Sequence, residues 1–308
     1  MVGQLISQKG LGRREFIKTL GAATVGLSYV RSIAAGYSET VRVAAIVVRW
    51  VRFGDYKETN YARVSALVRE AAKNGAKIAC TTECFLDGYH TEVSDRDYQD
   101  VYPYLEDVTT SRYVQGLKVL AKELSIYIVA GMAVMDSERK DQNGNPRPFN
   151  TAQLYSPEGE LAGIYSKTHN FNRRSPWFDR IPADDKASYF PAFDTNVGRL
   201  GMMICNDRKF SESTRWLAEN GAECILCPTG GAYSYEMLAD RSRETKVGIV
   251  WVHPCGYAAS SPGGKIIARA GYAERSRSVS EEELDGPNDH RHIFYVDLPV
   301  ATIDQISG

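Results

Sequence analysis

From Val41 to Leu298 the chain alternates short apolar runs with amphipathic stretches of helical period, and no linker-like or low-complexity segment interrupts the alternation. Apolar runs without polar alternation belong to strands buried on both faces, and such strands need helices or a second layer to cover them. Val41–Val48 (VRVAAIVV) reads as the first of these strands. Asn60 to Asn74 sets Val64, Leu67, Val68 and Ala71 on one helical face, and Gly75 ends it. Lys77–Thr82, Ile126–Val134, Val197–Ile204, Glu223–Leu226 and Val247–His253 read as further strands, with Ile266–Ala270 and His292–Leu298 late in the chain. Ser111–Leu124 and Ser213–Asn220 read as helices. Asn150–Tyr155 and Leu161–Tyr165 flank Ser156-Pro-Glu-Gly-Glu160 and predict a hairpin. Two polar stretches, Asn170–Asp194 and Glu274–His290, read as loops, the second of them exposed. The expectation is one α/β domain filling residues 36–308.

Residues 1–35 read differently. Gly12-Arg13-Arg14-Glu15-Phe16-Ile17-Lys18 pairs two arginines ahead of apolar residues and a lysine, Thr19 to Val30 is weakly apolar, and Ser32-Ile33-Ala34-Ala35 offers small residues for cleavage. That order is a secretory signal, and the arginine pair points to the twin-arginine export machinery. The run is shorter than the about 20 apolar residues of a transmembrane helix, and Arg31 closes it. The expectation is a periplasmic or secreted protein. Export in the folded state lets Cys80, Cys84, Cys205, Cys224, Cys227 and Cys255 stay reduced at buried positions. Cys224-Ile-Leu-Cys227 has redox-motif spacing but lies in an apolar run, and reads as buried strand.

Charge narrows the function. Lys plus Arg is 37 and Asp plus Glu is 38, a net charge of −1, so no global field draws the chain to nucleic acid. His290-Arg-His292 reads as loop and strand edge, not a metal site, and Gly230-Gly231 and Gly263-Gly264 match no phosphate-binding pattern. No metal or organic cofactor is expected.

Three segments end strand-like runs with a reactive residue. Glu83 follows Lys77–Thr82, at the sheet rim where α/β proteins place their sites, and a desolvated carboxylate there serves as a general base. Lys167 follows the second arm of the hairpin, where an ammonium can steady an oxyanion. Cys205 ends the run Gly201-Met202-Met203-Ile204 and precedes a polar turn and a helix near Ser211, the setting of a nucleophile elbow. Each has a duller alternative: an exposed carboxylate, a surface lysine, a structural cysteine. Together, at three strand ends of one domain, they describe a site.

The segments Glu83-Cys-Phe-Leu-Asp-Gly-Tyr89, Tyr165-Ser-Lys-Thr-His169 and Ile204-Cys-Asn-Asp-Arg208 resemble those of the carbon–nitrogen hydrolase (nitrilase) superfamily over about residues 41–298. The resemblance implies a four-layer α-β-β-α sandwich, a homodimer or higher homo-oligomer, and a Glu83–Lys167–Cys205 triad acting on a small amide or N-carbamoyl substrate. The Cys motif looks most like that of the N-carbamoyl-D-amino-acid amidohydrolases, whose paired arginines engage the substrate carboxylate. Arg208 matches the first of these, and Lys209 replaces the second, keeping charge but losing the bidentate fork. The same resemblance places Asn206, His169 and Tyr89 around the substrate. Many members carry a second Glu between the Lys and Cys motifs. Lys167 to Cys205 contains none, and Asp184 or Asp185 is the expected substitute. The usual Ala-Asn-x-x-Gly strand end stands here as Val252-His-Pro-Cys-Gly256.

Other readings stay open at this level: a nitrilase or aliphatic amidase, a Cys–His enzyme built on Cys205 and His169, or a non-catalytic exported binding protein of the same fold.

Overall fold

The computed structural model describes residues 39–92, 98–140, 143–170, 189–231, 234–271, 280–286, 289 and 291–300. The export segment, Asp184 and Asp185 lie outside the described residues, as does most of the 170–194 stretch.

Two sheets form. The first draws on β1 (Glu39–Val48), β2 (Ile78–Cys80), β3 (Glu106–Asp107), β4 (Tyr127–Lys140), β5 (Pro146–Tyr155), β6 (Leu161–Ser166) and β13 (Arg291–Val300). Their order is β13-β1-β2-β4-β5-β6, with β3 on β4. β1, β2 and β4 run parallel, and the β5–β6 hairpin and β13 add antiparallel edges. The second sheet has the order β12-β11-β10-β9-β8-β7. It uses β7 (Ala192–Thr195), β8 (Gly198–Met202), β9 (Cys224–Pro228), β10 (Gly248–His253), β11 (Gly256–Ser260) and β12 (Ile266–Gly271). Helices α1 (Tyr56–Lys73) and α2 (Arg112–Leu124) pack on the first sheet, and α3 (Ser211–Glu219) and α4 (Tyr235–Thr245) on the second.

β1 shows why its sequence is unbroken apolar. Val41, Val43, Ala45 and Val47 face inward and share one core with Leu226, Ile249 and Val250 of the second sheet. Ala44, Ile46 and Val48 face outward and pack with Val64, Val68 and Ala71 of α1 and with Val114 and Leu117 of α2. Period-two geometry sends neighbours to opposite faces, and here both faces are interior. Each such Val, Leu or Ile contributes roughly 1.5–3 kcal/mol on burial. Ser111 caps α2, its Oγ accepting from the Tyr113 and Val114 N–H groups at 3.2 and 3.5 Å.

Several boundaries differ from the sequence reading. α1 begins four residues before Asn60, at Tyr56, because its first turn is polar and carries no apolar period. The strand expected over 77–82 keeps only Ile78–Cys80, since the Gly131 N–H, which would carry the ladder on to the Thr81 carbonyl, goes to the Thr81 hydroxyl instead. The end of the 170–194 stretch is not irregular: Ala192–Thr195 pairs antiparallel with Gly198–Met202. Four residues are too few to show alternation. The 274–290 stretch is not wholly exposed, because Asp289 is buried in an ion pair with Arg63. α4 and β11 went unread, since α4 buries only the small face Leu238, Ala239 and Ser242 and β11 is Gly-Tyr-Ala-Ala-Ser. Cys224 and Cys227 are free and buried in β9, as strand residues should be.

Candidate active site

The two sheets bring their strand ends together. Glu83 stands three residues past β2 and Lys167 one past β6, both on the first sheet. Cys205 stands three residues past β8, on the second. Gly131 of β4 makes the Glu83 position possible: a Cβ there would lie 2.5 Å from the Thr82 carbonyl oxygen and 2.8 Å from Glu83 Cα. With that approach free, Gly131 accepts from the Phe85 N–H and donates to Thr81 Oγ1, both at 3.0 Å. The turn carrying Glu83 is thereby pinned to the sheet.

Cys205 opens a short 3-10 turn, Cys205–Lys209, ahead of α3. Its φ is +46°, a left-handed conformation costly for a side chain with a Cβ. The sharp turn is what lifts the thiol off the end of the strand.

Lys167 Nζ donates to Glu83 Oε1 at 2.6 Å, and both side chains are fully buried. Asn150 ties the two together: its Nδ2 donates to the same Oε1 at 2.8 Å, and its carbonyl accepts the Lys167 N–H at 2.8 Å. Glu83 Oε2 is buried and has no hydrogen-bond partner among the described residues. A buried carboxylate oxygen left unused costs free energy, so this atom is held ready for a proton or a donor.

Burial pushes the Cys205 thiol up, and the Glu83 charge pushes it further; Lys167, Arg208 and a hydrogen bond from the Gly230 N–H pull it down, but less. The resting group is a thiol, which needs a base to become a nucleophile. Arg208 is buried, with Nη1 3.5 Å from Cys205 Sγ and a hydrogen bond to the Cys205 carbonyl. Gly231 faces the sulfur, a Cβ there lying 3.5 Å from Sγ.

The remaining residues expected around the substrate divide into two groups. Tyr89, at φ +63°, stacks on Trp50 with centroids 4.5 Å apart and closes on Gly230, whose Cβ would sit 2.7 Å from Tyr89 Cζ. It therefore reaches the loop beside the thiol. Asn206 turns instead to the Lys167 loop, donating from Nδ2 to the His169 and Asn170 carbonyls at 3.2 Å each. Lys209 is exposed at the end of the turn, and its carbonyl accepts from Arg241. His169 stacks on Phe210 at 3.9 Å, with Nδ1 3.1 Å from Asp207 Oδ1 and 3.3 Å from Ser213 Oγ, and Nε2 3.7 Å from Glu212. Its ring serves that cluster, while the charges acting on the thiol are Glu83, Lys167 and Arg208.

Asp207 was not anticipated. It is fully buried and accepts from the Ile204 N–H at 2.9 Å, Tyr165 OH at 2.7 Å and the His169 N–H at 2.7 Å. It thus joins the residue before Cys205 to both flanks of Lys167. It lies inside the Cys-Asn-Asp-Arg motif, so a signal was present, but only the fold shows what it binds. Asn150, which begins no motif, had no signal.

A thiol at a strained elbow, facing a carboxylate–lysine pair across the mouth of a two-sheet α/β sandwich, defines a cysteine-centred α/β protein. The match to the carbon-nitrogen hydrolase family model runs over residues 42–285. The chain belongs to that family. It is 27% identical over 247 residues to the omega-amidase NIT2 of Homo sapiens, covering 73% of this chain and 83% of that one. It is 29% identical over 239 residues to a nitrilase of Pyrococcus abyssi, covering 74% and 84%. In fold it is similar to Saccharomyces cerevisiae Nit3, a member of the nitrilase superfamily, with a TM-score of 0.65 at 21% identity over 88% of this chain and 94% of that one. The α/β sandwich of two sheets expected from the sequence is the fold observed.

Proposed function

We propose that the protein hydrolyses the C–N bond of a small linear amide through Glu83, Lys167 and Cys205. The observation that carries this is the uncommitted, buried Glu83 Oε2 in the field of a thiol held protonated. Glu83 takes the thiol proton as Cys205 Sγ bonds to the amide carbon. Lys167 and the Asn206 backbone N–H steady the oxyanion. The C–N bond breaks, the nitrogen leaves with the proton from Glu83, and a thioester remains. Glu83 then activates water, which cleaves the thioester and restores the thiol.

The substrate class we favour carries a carboxylate, as N-carbamoyl amino acids do. Arg208 supports this as a buried cation 3.5 Å from the sulfur. A planar guanidinium suits a carboxylate. Lys209 is exposed and adds less. The omega-amidase relative favours an amide, and the nitrilase relative keeps a nitrile as the alternative. We further read the protein as a homo-oligomer exported by the twin-arginine route.

The test is ammonia release from N-carbamoyl amino acids, simple amides and nitriles, with Cys205→Ala and Glu83→Gln beside the parent protein from residue 36. Turnover lost in both variants supports the triad. Stoichiometric labelling of Cys205 without turnover would replace catalysis by a binding role.

A further inference from the structure

His253 ends β10, and the mechanism above gives it no role. It is fully buried and stacks on Trp251 with centroids 5.1 Å apart. Its Nδ1 accepts the Cys255 N–H at 3.1 Å. That bond places the single proton of a neutral ring on Nε2. β9 and β10 run parallel, with Val252 beside Pro228 and the Thr229 N–H donating to the Val252 carbonyl at 2.8 Å. This register sets His253 beside the Thr229-Gly230-Gly231 loop.

Gly230 is held from two sides. Its N–H donates to the Cys205 thiol, and its carbonyl accepts from the His253 ring. Gly230 cannot be replaced cheaply, because Tyr89 occupies the space its Cβ would need, and a Cβ on Gly231 would rest in ordinary contact with the Cys205 sulfur. Two consecutive glycines have a cost: nothing local stops the peptide between them from flipping. A flip would release the Gly230 carbonyl oxygen beside the site, where it would oppose a thiolate and an oxyanion alike.

We propose that His253 is a positioning residue for Cys205, its Nε2–H holding the Gly230 carbonyl and locking the Gly230–Gly231 peptide so that this oxygen is withheld from the thiol. The idea rests on the reading of Cys205 as nucleophile. Burial and then the Arg208 charge pull the ring down to about 3. The ring is therefore neutral throughout the working pH range, and the lock does not titrate away.

Two experiments decide it. The first records ring nitrogen NMR signals of the parent protein between about pH 5 and 8, where an unperturbed histidine would titrate, with His253→Asn for assignment. A neutral Nε2–H tautomer, unchanged with pH, is expected. A titrating ring or an Nδ1–H tautomer overturns the proposal. The second compares His253→Leu with His253→Asn. Leu should lower kcat on an amide about 10- to 100-fold with KM little changed, and should slow Cys205 alkylation. Asn, which keeps an N–H donor, should restore kcat to within about threefold. Equal loss in both variants, or none in the Leu variant, overturns it. If the Leu variant fails to fold, the Asn variant and the NMR signals still decide. If no amide is turned over by the parent protein, the amide reading fails separately, and alkylation and NMR judge the lock alone.

Discussion

Among the described residues two ion pairs are buried, and they are put to opposite uses. In Arg63–Asp289 the carboxylate is fully employed. Its Oδ1 meets Arg63, and its Oδ2 accepts from Arg291 Nε at 2.7 Å and the Asp285 N–H at 3.2 Å. Arg63 also donates to the Arg49 carbonyl at 2.7 Å. The pair staples the segment before β13 to α1 and to the exit of β1. In Lys167–Glu83 one carboxylate oxygen takes both donors and the other takes none from the described residues. Burial and pairing alone do not mark an active site. A buried acceptor left open beside a thiol does, because that atom keeps an unpaid desolvation cost which only a proton or a ligand relieves.

The comparison can be broken most sharply at Glu83. Glu83→Gln should lower turnover on any accepted amide by about four orders of magnitude, as loss of an essential base does. It should also speed alkylation of Cys205 by iodoacetamide at neutral pH. The Glu83 charge raises the thiol pKa, so removing it lowers that pKa and increases the thiolate fraction. Slower alkylation in this variant would mean the carboxylate does not face the sulfur. In the parent protein the thiol stands above its ordinary value, so alkylation should climb with pH through neutrality and keep climbing into the alkaline range.

Arg63→Met should do the reverse. Leaving Asp289 buried with half its partners is expected to cost about 3–5 kcal/mol of stability in denaturant titration. The kcat of the folded fraction should stay close to that of the parent. A large loss of kcat would show that the staple reaches the site. Arg208→Met should have a smaller effect on chemistry: it removes a cation that lowers the thiol pKa, so alkylation at fixed pH should slow several-fold. A KM rise confined to carboxylated substrates would sharpen the assignment of Arg208 to their acid group. The least effect belongs to Asp297→Asn. Its partner Arg42 is exposed and the pair lies on the surface, where such contacts contribute little, so the thermal midpoint should not move.

The legible parts of the molecule were those written locally. β1, α2, the β5–β6 hairpin and β9 each carry a period or a turn signal within a few residues, and each was readable. Glu83, Lys167 and Cys205 could be found because each closes such an element. The illegible parts were polar or small-residue elements, such as α4 and β11, and side chains whose meaning lies in distant partners. Asp289 looked like loop until Arg63, 226 positions away, met it.

By itself, then, the sequence determined the α/β class, the burial of both faces of its strands and the three reactive strand ends, because hydrophobic period and strand termination are properties of neighbouring residues. Only the tertiary structure decided that Glu83 keeps one oxygen without a partner among the described residues, that Asp207 couples the lysine loop to the cysteine elbow, and that His253 lies beside the loop that borders the thiol. Lys167 and Glu83 are 84 positions apart and Tyr165 and Asp207 are 42. Contacts at such separations are set by how two sheets stack, and which lone pair remains open depends on every donor the fold brings to it.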